Sequence, residues 1–69
     1  MIYLGGVILR SYILTVFDKK GEKLLEERFE ATDDQAAKQL AETKLTKNNY
    51  NDHTHRCVSP TGRLLLFHS

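Results

Sequence analysis

Tyr12-Ile13-Leu14-Thr15-Val16-Phe17-Asp18-Lys19-Lys20-Gly21 is the stretch that decides the fold. Tyr12, Leu14 and Val16 alternate with Ile13, Thr15 and Phe17. Both sets are largely apolar, which is the pattern of a strand covered on both faces. Asp18 can accept hydrogen bonds from the backbone ahead of it, and Gly21 takes positive φ without a Cβ penalty. Together they predict a type I turn with a glycine bulge, closing a hairpin. The return strand runs from Lys23 to Ala31. Leu25, Phe29 and Ala31 share one side with Glu27 as a misfit, while Glu26, Arg28 and Glu30 mark the wet side. Such charge suits a sheet edge, because it discourages edge-to-edge pairing.

Downstream, Thr32-Asp33-Asp34-Gln35 predicts a helix start, with Thr32 and Gln35 at capping-box spacing and acidic residues in the first turn. Ala36, Ala37, Leu40, Ala41 and Leu45 recur at helical spacing as one apolar stripe. Lys47-Asn48-Asn49 ends the helix, with Asn suited to a left-handed cap. His55 to Ser59 is a third strand, Ser59-Pro60-Thr61-Gly62 a second turn, and Arg63 to His68 a fourth strand. Leu64 to Phe67 leave neither face of that last strand polar, which predicts a central position in the sheet. The fold class is therefore α+β: ββαββ, a four-stranded antiparallel sheet of two hairpins with one helix packed on one face. Val16 to Gly21 with Leu24-Leu25 also echoes Cys57 to Gly62 with Leu65-Leu66 at the same spacing. A shared turn type accounts for this echo, and an old duplication is the alternative.

The chain has 69 residues, which allow a single domain with a thin margin of stability. Ten basic residues against nine acidic ones give a net charge of +1, with no strong electrostatic demand for nucleic acid or anionic membrane. A hydrophobic share of 41% and a charged share of 28% are ordinary for a globular chain. Cys57 is the lone cysteine, so no internal disulfide can form, and a single thiol fits a reducing, cytoplasmic setting. Met1 to Phe17 lacks the basic start of a signal peptide, and Arg10-Ser11 breaks it before membrane-span length. Residues 1–10 read as an extra strand, a flexible N-terminal extension or the product of an upstream start codon; residues 11–68 form the core.

Leu14 to Gly21, and the tail from His53-Thr54-His55-Arg56-Cys57-Val58-Ser59-Pro60-Thr61-Gly62 to Phe67-His68, resemble the YhzD-like family of small proteins of Bacillus and its relatives. The resemblance covers Tyr12 to His68, and the tail is its more specific part. The family's members are functionally uncharacterised. The resemblance therefore implies a small bacterial cytoplasmic protein and carries over no catalytic residue, cofactor or partner.

Four chemical readings follow from the residues. His53, His55 and Cys57 alternate on a strand and are zinc-friendly ligands. His68 joins them, facing His53, if Ser59 pairs with Gly62. It points away if Gly62 is a bulge and Ser59 pairs with Arg63. The chain lacks paired zinc-ligand motifs, and a solvated His53, a half-exposed His55 and a small core Cys57 explain the same residues. A nucleophilic Cys57 activated by His55 or His68 lacks a third orienting group and an oxyanion loop, so no catalytic residue and no cofactor is expected. Lys19, Lys20, Lys23, Arg56 and Arg63, with Tyr12, Phe17 or Phe67 as stacking rings, give a weak nucleic-acid reading, opposed by Glu26, Glu27 and Glu30. The leading expectation is a non-catalytic interaction or accessory module that forms a homodimer. One helix covers one sheet face, leaving Leu14, Val16, Leu64 and Leu66 as the candidate partner surface unless the N-terminal segment covers it.

Overall fold

The computed structural model describes residues 2–4 and 7–68, with side chains from Ile8 onward. The chain runs β1 (Ile2–Leu4), β2 (Val7–Phe17), β3 (Lys23–Ala31), α1 (Asp34–Lys47), β4 (Thr54–Val58) and β5 (Leu64–His68). The ββαββ core is an antiparallel sheet in the order β3-β2-β4-β5, and β1 pairs with the start of β2 from Val7 to Leu9. Within residues 1–10, left open between an extra strand, a flexible extension and an upstream start, the described segment Ile2–Leu4 is the strand β1. The charged return strand β3 is an edge, as its sequence predicts. The last strand is not central: among the described residues β5 pairs with β4 alone, and the second interior strand is β4. The apolar run in β5 misleads because an extra residue interrupts its alternation.

That extra residue belongs to a pattern shared by both hairpins. Asp18 N donates to Glu22 O at 2.9 Å and Gly21 N to Asp18 O at 3.0 Å; Ser59 N donates to Arg63 O at 2.9 Å and Gly62 N to Ser59 O at 3.0 Å. Gly21 and Gly62 sit at φ 84° and 85°, where a Cβ is strained. A second irregularity follows in each return strand. Phe17 pairs with Lys23 but Val16 with Leu25, leaving Leu24 over; Val58 pairs with Leu64 but Cys57 with Leu66, leaving Leu65 over. The remaining pairs match at a constant offset: Thr15–Glu26 with Arg56–Phe67, and Leu14–Glu27 with His55–His68. The β2–β4 ladder obeys the same relation, exchanging Leu14–Cys57 with Val16–His55 and Ile13–Val58 with Phe17–Thr54. Thr15–Arg56 maps onto itself, so a local two-fold axis of strand pairing passes through it.

The helix lies on one face of this sheet. Tyr12, Leu14, Val16, Phe29, Ala31 and Cys57 meet Ala37, Ala41 and Leu45 in the core. Alanines at two of the three buried helix positions let the backbone approach closely. Leu40, expected in the stripe, is exposed. Helix capping is shifted by one residue from the sequence reading: Asp33, not Thr32, is the N-cap, and its Oδ1 accepts from Ala36 N at 2.8 Å. At the other end Asn49 takes φ 59°, and Asn49 N and Tyr50 N donate to the carbonyls of Thr46 and Leu45. This is a Schellman cap, and Tyr50 packs on the core beside it. The misfit Glu27 is explained by Lys44, whose Nζ lies 3.0 Å away while reaching over the Phe29 ring. No helix among the described residues is long and apolar enough to cross a membrane.

Candidate functional site

Strand alternation sorts the chemistry-bearing residues onto two faces. Under the helix lie Tyr12, Leu14, Val16, His55 and Cys57. Leu14 and Val16, expected on a partner surface, are wholly buried there. Leu66 is half-buried and packs against the same core, which leaves Leu64 as the exposed member of that set. Tyr12 offers no stacking ring to a ligand. It is sealed beneath the helix, stacked on Phe29 at 5.9 Å, and its hydroxyl donates to Asp34 Oδ1 at 2.9 Å. Burial first, and the bond to Asp34 second, push the Tyr12 hydroxyl above its usual range. Sequence reading missed this tie between β2 and the first helical turn; a tyrosine on the apolar side of a central strand was the available signal.

The histidine and cysteine residues are brought together only in part. Ser59 does pair with Arg63, yet the second bulge at Leu65 shifts the ladder back, so His68 faces His55 rather than His53 or the opposite side. The two rings stack with centroids 5.5 Å apart. His55 Nδ1 donates to the His53 carbonyl at 2.8 Å, since that oxygen can only accept. His53 itself turns to Tyr50, ring centroids 4.9 Å apart. Cys57 lies between Leu14 and Leu66 with no exposed surface. Burial, with the Asp34 charge second, pushes its thiol up, opposite to what an activated nucleophile requires. Among the described residues no group of three His, Cys, Asp or Glu side chains can hold a metal ion.

The basic residues are dispersed. Because β2 and β4 run antiparallel, the turns after Phe17 and Val58 lie at opposite ends of their ladder. Lys19 and Lys20 are exposed at one end. Arg63 sits at the other, 3.7 Å from Asp34. Lys23 is paired with Glu26 at 3.0 Å. Arg56 occupies the centre of the open face, its guanidinium 5.7 Å from the Phe17 ring centroid.

The open face reads in rows across the sheet. One row is Glu26–Thr15–Arg56–Phe67, and the next is Arg28–Ile13–Val58–Leu64. Charge gathers at the β3 side and apolar surface at the β5 side. Phe67 is 63% exposed and Leu64 53% exposed, next to half-buried Ile13, Phe17 and Val58. Thr15 is buried beneath this layer. Among the described residues this face is a half-apolar sheet surface that ends in the edge strand β5.

Comparison with known proteins agrees with the resemblance in the hairpins and tail. The family described as YhzD-like protein matches residues 9–69. The uncharacterized protein YhzD of Bacillus subtilis (strain 168) is 45% identical over 60 residues, spanning 87% of this chain and 98% of that relative. No solved structure matches. The matched span holds both hairpins and the helix, and on that ground the chain belongs to the YhzD-like family.

Proposed function

We propose that this chain is a small, non-catalytic, cytoplasmic interaction module that acts as a homodimer, using the β5 side of the sheet that its helix leaves uncovered. The observation that carries this reading is the exposure of Leu64 and Phe67 beside Ile13, Phe17 and Val58. Burying an exposed leucine or phenylalanine is worth about 1.5–3 kcal/mol when complete. A chain too short for a large core gains from a partner that supplies such burial. Light scattering across a concentration series tests the reading. A mass that climbs from one chain to two supports it, and a single-chain mass at millimolar concentration removes it.

A second reading has its own observation. Arg56 pairs with Phe67 and reaches over the diagonal Phe17 ring on the open face, an arginine–aromatic cluster of the kind on which unstacked bases rest. Glu26 and Glu30 share that face, and the turn lysines lie away from Arg63, so no continuous basic track supports it. Salt-dependent binding of a single-stranded oligonucleotide, lost in Phe67→Ala, would favour this reading.

A further inference from the structure

We infer that β5 is a pairing edge whose occupant is the β5 of a second copy, joined antiparallel about a two-fold axis so that two sheets continue as one. This rests on the self-association reading above and specifies its geometry. Among the described residues, both outer strands of the core leave a row of backbone N–H and C=O groups without a strand partner. Natural edges are blunted by charge, and β3 is: Lys23, Glu26, Glu27, Arg28 and Glu30 lie along it. From Leu64 to His68, β5 carries neither an acidic residue nor a lysine, arginine or proline. Each edge has one bulge at the matching position, so the bulge does not separate them; the side chains do.

The free groups of an edge are satisfied by another extended strand, and an identical edge is always available in a second copy. Pairing β5 with β5 is isologous and closes at two chains. Pairing β5 with the partner's β3 is heterologous, does not close, and would set the charged strand into a growing fibre. Antiparallel β5 pairing also brings Leu64 and Phe67 of both copies onto one continuous side of the joined sheet. A five-residue edge buries less than the roughly 1,200–2,000 Å² of a standard stable interface. The dimer is therefore concentration-dependent, with a dissociation constant above about 1 μM.

The test uses the full chain in sedimentation equilibrium together with amide hydrogen exchange at concentrations below and above the dimer midpoint. The expected result is a monomer–dimer equilibrium in which exchange of the outward amides of residues 64–68 slows at least tenfold on dimerisation. Phe67→Lys, which places a charge on the edge at an exposed position, weakens the dimer at least tenfold, while Ile13→Lys in mid-sheet changes it less than threefold. A dimer with unchanged exchange in β5 that Ile13→Lys dissociates is a face-to-face dimer: it overturns the edge while the self-association reading stands. A monomer at every concentration overturns both.

Discussion

The β2–β3 and β4–β5 hairpins have one backbone plan and two surfaces. Their turns share hydrogen-bond lengths, glycine conformation and the position of a second bulge. Their outer strands differ: β3 alternates charged residues with core residues, whereas β5 is four apolar residues and a histidine. The comparison teaches that the turn and bulge set strand pairing, while the side chains set what each edge does next. The first strands differ as well. Leu14 of β2 corresponds to His55 of β4, and Tyr12, tied to the helix start at Asp34, corresponds to His53, packed on Tyr50 after the helix end.

The largest break in this comparison is expected at Leu14 against His55. Leu14→Ala removes a fully buried side chain and is expected to cost about 3 kcal/mol in urea unfolding. His55→Ala removes a ring that holds one backbone carbonyl and stacks on His68, and is expected to cost less than half as much. Equal losses would mean that the two hairpins share the core evenly, against the burial seen here.

Tyr12 gives the next effect. Tyr12→Phe removes a hydrogen bond to a carboxylate and is expected to cost about 1.5 kcal/mol near neutral pH. The hydroxyl is held above the usual value of 10.0 in the folded chain. Its contribution is thus fully present below pH 10 and is lost as pH rises through the folded pKa. Urea midpoints followed from pH 8 to 11.5 are expected to fall more steeply in the parent chain than in Tyr12→Phe; parallel curves would remove Tyr12 from the alkaline limb.

The smallest effect sharpens the likeness. No heavy atom would crowd a Cβ at Gly21 or Gly62, so alanine there meets only the positive-φ penalty. Each substitution is expected to cost about 1 kcal/mol, the two agreeing within about 0.3 kcal/mol. A large inequality would show that one turn carries a load the other does not.

Much of the core was legible because alternation and turn chemistry are local. Tyr12, Leu14 and Val16 share one side of their strand, Glu26, Arg28 and Glu30 the wet side of theirs, and the first glycine bulge stands at Gly21, although which side the helix covers, and so the burial of Leu14 and Val16, was not read correctly. What was not legible depends on distant pairing. The unpaired Leu24 and Leu65 leave no mark in a run of leucines, yet Leu65 decides that His68 faces His55 and that Leu64 points away from the core. An apolar strand reads as central because the sequence does not encode whether its second neighbour is the same chain, water or another molecule. Asp33 displaced Thr32 as the helix cap because adjacent residues with oxygen-bearing side chains compete for the same amides, and backbone entry geometry chooses between them.

Of the sheet's pairings, β1–β2, β2–β3 and β4–β5 each join strands that follow one another directly in the chain. β2–β4 alone reaches across the helix, so the entropy of closing a long loop falls mainly on the ladder centred on Thr15 and Arg56. Each hairpin joins near neighbours in sequence, whereas the β2–β4 ladder that unites them carries the sheet's long-range contacts, the kind that slow folding.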